Sequence, residues 1–193
     1  MFTTLVLATH NKGKVAEMSD MLAPFHIAVR SAAEYHLEAP EETEDNFIGN
    51  ALIKARAVCA ATGEAALADD SGLCVAALSG RPGVYSADWA GPSKDFSVAM
   101  ERVHREMGDA DDRSAYFVSV FALVLPNGEE HIFEGRCDGS IVWPPRGEGG
   151  FGYDPMFVAD GEHRTFGEMS LQEKKLYSHR AKAFAQFRAV LES

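Results

Sequence analysis

A chain of 193 residues, 46% hydrophobic and 24% charged, is long enough to bury a substantial core and too apolar for wholesale disorder. Its formal net charge of -11 speaks against nucleic acid or an anionic membrane as a partner, because both need a broad basic face, so any cationic site must be local. Cys59, Cys74 and Cys137 lack metal-ligand spacing and sit in apolar segments, which predicts buried, reduced thiols. Met1-Phe2 lead directly into an apolar strand, and no apolar run reaches the roughly 18 residues of a membrane span, so a cytoplasmic protein without a signal peptide is expected.

The run Thr3 to Ala8 predicts a buried strand that ends in the polar turn Thr9-His10-Asn11-Lys12-Gly13-Lys14. A helix follows, with Val15, Met18 and Leu22 at helical spacing and Pro24 closing it. Unpaired N–H groups at a helix start favour anions, and Lys12 and Lys14 add full positive charges. Ile27 to Arg30 suggests a second strand. Glu34 to Glu44, containing Glu41-Glu42-Thr43, is acidic and aperiodic, and so reads as a loop. A second helix begins near Asp45, carries Phe47, Ala51, Ala55 and Val58 on one face, and stops around Thr62-Gly63. Ala65 to Ala68 reads as a central strand delivering Asp69 and Asp70 from its carboxyl end.

Leu73 to Leu78 fits either a strand or a short helix, and Gly80 to Gly91 is a long loop. Ser93 is the expected N-cap of a helix with Phe96, Met100, Val103 and Met107 on one side. Tyr116 to Leu125, the turn Pro126-Asn127-Gly128 and His131 to Cys137 predict a hairpin. Ile141 to Trp143 adds a separate short strand before the glycine-rich segment Pro144 to Pro155. Ser170 and Glu173 have capping-box spacing, and Leu176, Ala183, Phe187 and Val190 outline a final amphipathic helix. The predicted architecture is α/β: a long central mixed sheet flanked by helices, one domain of two unequal lobes with an active-site groove between them.

Paired carboxylates such as Asp69-Asp70, beside Ser71-Gly72, repel each other unless a cation lies between them. Mg²⁺ fits, since it binds through one or two carboxylates plus substrate phosphates; a solvated acidic turn is the competing reading. Glu41-Glu42 before a helix also serves the helix dipole. In Gly149-Gly150-Phe151-Gly152-Tyr153-Asp154, glycine lets the main chain approach a ligand, Phe151 offers a stacking face, and Tyr153 and Asp154 offer polar contacts; a flexible surface loop is the competing reading. Ser178-His179-Arg180, preceded by Lys174, supplies donors; a solvated basic helix start is the competing reading, but cations at a helix start oppose the dipole, and that mild cost suggests another purpose.

Taken together, these motifs resemble the inosine triphosphate pyrophosphatase family, also called Ham1-like. The likeness runs through Leu7 to Lys14, Glu41-Glu42-Thr43 with Asn50-Ala51 and Lys54-Ala55, Ala68 to Leu73, Pro82 to Ala87, Gly149 to Pro155 and Ser178-His179-Arg180. It implies Mg²⁺-dependent hydrolysis of ITP, dITP, XTP and dXTP to the monophosphate and pyrophosphate by a homodimer. By the same resemblance Asp70 is the acid-base residue and a metal ligand, with Glu41 or Glu42 completing the metal site. Thr9, His10, Asn11, Lys12, Gly13 and Lys14 would hold the triphosphate. Ser71, Phe151, Gly152, Tyr153, Asp154, Lys174, His179 and Arg180 would complete the nucleotide site. The chain departs from the family pattern at Glu44 and Gly49, where members often carry glycine and glutamate, leaving one carboxylate near the metal missing or replaced. It departs again at Asp88, where arginine is common. The competing functions are a pyrophosphatase for other modified nucleotides and a nucleotide-binding regulatory module without catalysis.

Overall fold

Strand β1 (Thr4–Leu7) is the apolar run expected, and the chain passes from it through a short turn into α1 (Lys12–Leu22). A computed structural model describes residues 2–192. The remaining elements in chain order are β2 (Ala28–Ser31), α2 (Phe47–Thr62), β3 (Ala65–Val75), α3 (Phe96–Met107), β4 (Ser114–Val124), β5 (Glu130–Ile141), β6 (Phe157–Ala159), α4 (Leu171–Lys174) and α5 (His179–Leu191). The six strands lie in the order β2-β1-β3-β4-β5-β6. β1 pairs in parallel with both β2 and β3, whereas β5 and β6 are antiparallel, so the sheet is mixed. The fold class is α/β, as predicted.

The chain forms two compact units. The first comprises the chain up to Asp70, Val120–Glu134 and the chain from Ala183 onward. Its core joins Leu5 and Leu7 of β1, Met18 and Leu22 of α1, Leu67 of β3, Phe121 and Leu123 of β4, and Phe184 and Phe187 of α5. This is the apolar face that the helical spacing of α1 requires. The second unit comprises Ser71–Ser119 and Gly135–Lys182. Its core gathers Leu73 and Val75 with Ala99, Met100, Val103 and Met107 of α3, and with Phe117, Phe157 and Phe166. All three cysteines are free and buried, and burial pushes the Cys137 thiol up to about 11, so these thiols are inert at neutral pH.

Four expectations are corrected. Asp69 and Asp70 do not leave the end of a strand: β3 runs on to Val75, and both aspartates lie in its middle, nine-tenths buried. Extended backbone persists there because lysine ammonium groups answer both residues. Further along the strand, the Ser86 hydroxyl accepts from Leu73 N and donates to the Gly83 carbonyl. A Cβ at Gly72 would run into that carbonyl oxygen and the Ser86 hydroxyl, so the close approach depends on glycine.

The N-cap of α3 is Asp95, not Ser93: Lys94 adopts a positive φ of 53°, and the chain enters the helix only after that turn. Ile141 belongs to β5, and the next strand is the unforeseen β6. Finally, the C-terminal helix is broken. α4 ends at Lys174, Leu176 is 77% exposed, and Ser178 starts α5 by accepting from Ala181 N and Lys182 N.

Candidate active site

In the first unit, α2 presents Asn50, Ala51, Lys54, Ala55 and Val58 on its buried face. That stripe carries Lys54 to β3, where its Nζ stands 2.7 Å from Asp70 Oδ1. The same ammonium is 3.2 Å from Oε1 of Glu42, so it bridges two carboxylates. Lys14, from the second position after the start of α1, donates to the Asp69 carbonyl at 3.0 Å and lies 3.6 Å from Asp69 Oδ1. Burial pushes the Asp70 carboxyl up, with Lys54 and Lys14 pulling it part of the way back. Burial acts against the charge on Lys54, but Asp70 and Glu42 outweigh it and hold its pKa above the ordinary value. The result is a carboxylate poised higher than usual beside a lysine that stays charged.

Asp70 Oδ2 is buried and has no hydrogen-bond partner among the described residues. A buried carboxylate oxygen left so is costly unless something binds it. Among the described residues no three His, Cys, Asp or Glu form a complete metal cage. A donor set of Asp70 and Glu42 fits Mg²⁺, which draws its other oxygens from phosphate and water. Glu41 and Glu42 are both exposed, and it is Glu42 that reaches Lys54.

The loop before α1 differs from expectation in one respect. Asn11 is the N-cap, and its Oδ1 accepts from Gly13 N and Lys14 N at 2.9 and 3.2 Å. Two of the helix-start donors are therefore already engaged, and positive charge near this end comes from the exposed Lys12 and from Lys14. Thr9 Oγ1 accepts from Asn11 N, and His10 Nε2 meets the Leu37 carbonyl at 2.8 Å.

In the second unit, Arg180 is 1% exposed, and its Nη2 donates to Ser71 Oγ at 3.2 Å. Lys174, also buried, stands 2.7 Å from Asp154 Oδ2. Asp154 Oδ2 accepts as well from Phe151 N at 2.9 Å, and Gly150, at a φ of 70°, wraps over that carboxylate where no side chain fits. The half-buried Phe151 ring lies 4.8 Å from the Lys174 ammonium and 5.4 Å from the Arg180 guanidinium. His179 stacks on Phe117 at 4.8 Å. Tyr153 is turned inward, its hydroxyl donating to the Ser86 carbonyl, while its ring meets Phe96 edge-on. Gly152 completes the turn at a φ of 68°.

The structure thus groups Asp70, Glu42 and Lys14 in the first unit, and Ser71, Phe151, Asp154, Lys174 and Arg180 in the second. Tyr153 and Asp154, expected as polar contacts to substrate, are committed to internal bonds that shape the glycine loop. Lys54 was missed as a site residue, although a lysine among the alanines of an apolar helical stripe is itself a signal.

The Ham1 family model matches residues 5–190. The dITP/XTP pyrophosphatase of Gluconobacter oxydans is 59% identical over 95% of this chain and 88% of its own length. That of Caulobacter vibrioides is 50% identical over 99% of both chains. Among solved structures, the Staphylococcus aureus Ham1 protein superposes with a TM-score of 0.88 at 35% identity, covering 98% of each chain. The Mycobacterium abscessus nucleoside-triphosphatase, or dITP/XTP pyrophosphatase, gives 0.77 at 42% identity over 95% of this chain and 97% of its own.

Proposed function

Because this chain belongs to the Ham1 family, we propose that it hydrolyses the non-standard purine nucleoside triphosphates ITP, dITP, XTP and dXTP to the monophosphate and pyrophosphate, cleansing the nucleotide pool. The observation that carries the chemistry is the Asp70 carboxylate: one oxygen bonded to Lys54, the other buried and open. Asp70 and Glu42 are the residues assigned to Mg²⁺. When bound, Mg²⁺ neutralises phosphate charge and acidifies coordinated water.

The chain's own residues supply the rest. Lys12 and Lys14 bind the triphosphate beside Thr9 and Asn11, and absorb charge as the α–β phosphate bond breaks. Phosphoryl transfer depends mainly on such positioning and electrostatics. Asp70 orients the attacking water and accepts its proton, a role that its raised pKa suits. Lys54 keeps the carboxylate aligned through Oδ1.

The second unit is assigned the nucleoside. Arg180 and His179 present donors, and hypoxanthine and xanthine carry an O6 acceptor where adenine carries an amino group. A site built to hydrogen-bond such an acceptor rejects its absence by about 10⁴-fold. Phe151 offers a stacking face beside Lys174 and Arg180. Both units serve this one activity as a single pyrophosphatase domain, and a cytoplasmic homodimer is the assembly that the family resemblance supports. The decisive experiment is pyrophosphate release from ITP, XTP and ATP, with and without Mg²⁺. Selective, Mg²⁺-dependent release from the oxo-purines is expected; equal rates on ATP, or rates indifferent to Mg²⁺, defeat the reading.

A further inference from the structure

Glu44, at the end of the acidic loop, and Gly49, in the first turn of α2, touch each other. A Cβ built on Gly49 would stand 2.5 Å from Glu44 Cγ and 2.7 Å from Glu44 Cβ. Non-bonded carbons prefer separations of about 3.5–4.0 Å, so the Glu44 stem occupies the volume that any side chain at 49 needs. Gly49 sits in the first turn of α2 at ordinary helical φ, and its N–H donates to the N-cap Asn46 at 2.8 Å. The backbone there does not demand glycine; the neighbouring side chain does.

Asn50, the next residue, is 2% exposed. Its Oδ1 accepts from Glu44 N at 3.0 Å and its Nδ2 donates to Glu44 O at 3.0 Å, so one buried amide holds both polar groups of that residue's backbone. Lys54 follows Asn50 by four residues, one helical turn further along the same face. Lys54 is also the cation that holds Glu42 and Asp70. One helix face therefore grips the loop at Glu44 and offers a counter-charge to the loop's carboxylate at Glu42.

We infer that Gly49 and Asn50 are positioning residues: the notch left by the glycine and the Asn50 amide seat Glu44, and through it hold Glu42 beside Lys54 and Asp70 for a divalent ion. The inference rests on the assignment of Glu42 and Asp70 to the metal. Glu44 itself acts as a wedge filling the notch.

Substrate-free protein titrated with Mn²⁺ alone, followed by electron paramagnetic resonance, tests this in wild type, D70N, G49A, E44G and the E44G/G49A pair. G49A should bind Mn²⁺ about tenfold more weakly while melting no lower than wild type, because alanine is the better helix former. In the E44G background the same G49A change should alter Mn²⁺ affinity less than about twofold, since no stem remains to be displaced. N50S, which removes the amide without adding bulk, should also weaken Mn²⁺ binding about tenfold. Wild-type affinity in both G49A and N50S, or an equal G49A loss in both backgrounds, overturns the inference. If wild type and D70N bind Mn²⁺ alike, the metal assignment has failed instead.

Discussion

Lys54 donates to one oxygen of the Asp70 carboxylate at 2.7 Å, while the other, Oδ2, is buried with no hydrogen-bond partner among the described residues. The two oxygens of one side chain thus have separate tasks. Oδ1 is anchored by a cation supplied by the helix, and Oδ2 is the oxygen that the proposal assigns to the metal. A buried pair of this kind is weak evidence for stability, and it is the arrangement on which the proposed catalytic role of Asp70 rests.

Asp70→Asn keeps the shape and removes the charge. Turnover of ITP should fall by at least about 10³-fold while cooperative melting is retained. Steady-state pyrophosphate release together with circular dichroism checks this, and near-normal rates would remove Asp70 from the mechanism.

Lys54→Met leaves Asp70 buried without its principal counter-charge. Removing one partner of a buried pair costs about 3 kcal/mol, and urea denaturation at neutral pH should show a loss of that order along with loss of activity. A variant as stable as wild type would mean that the carboxylate is solvated.

Asp154→Asn separates shaping of the glycine loop from chemistry, because Asp154 holds both Lys174 and the Phe151 backbone. KM for ITP should rise about tenfold with kcat within about threefold, the pattern of lost ground-state positioning. A loss confined to kcat would place Asp154 at the reacting atoms.

Arg180→Ala should narrow the preference for ITP over ATP by about tenfold or more in kcat/KM, since it removes the donor that the proposal assigns to the base. An unchanged ratio with uniformly lower rates would assign Arg180 to phosphate binding or to ordering of the segment that starts at Ser71.

Glu173 gives a stability prediction with a definite sign. The Arg164 guanidinium, followed by the Ser170 backbone and hydroxyl, holds its carboxyl down at about 2, against an ordinary 4.5. The stabilisation is therefore complete above the ordinary value and is lost as pH falls from there towards the folded one. The melting-temperature gap between wild type and Glu173→Gln should be constant from pH 7 to about 5 and shrink below about pH 4.5. A gap that holds steady at pH 3 contradicts the assignment.

Local signals were readable wherever neighbours in sequence are neighbours in space. β1, the turn into α1 and the β4–β5 hairpin follow from an apolar run, the polar segment Thr9 to Lys14 and the Asn127-Gly128 turn. Contacts across the sequence were not readable in the same way. Asp69 and Asp70 read as a strand end because the acidic pair follows a short apolar run, whereas Lys14 and Lys54, supplied by two separate helices, answer the two carboxylates within a strand that continues. The broken final helix was hidden for a similar reason: Leu176 fits the helical spacing but is exposed, and the Ser178 cap restarts the helix two residues later. Of the candidate site, the residue types were legible from their motifs. The division of labour between Asp154 as an internal brace and Arg180 beside Ser71 required coordinates.

Gly72 carries a consequence for the laboratory evolution of this chain. With a carbonyl oxygen and a hydroxyl crowding the point where any side chain would begin, a library randomised at codon 72 should return a single survivor. Any redesign of this stretch of the strand must therefore leave position 72 untouched.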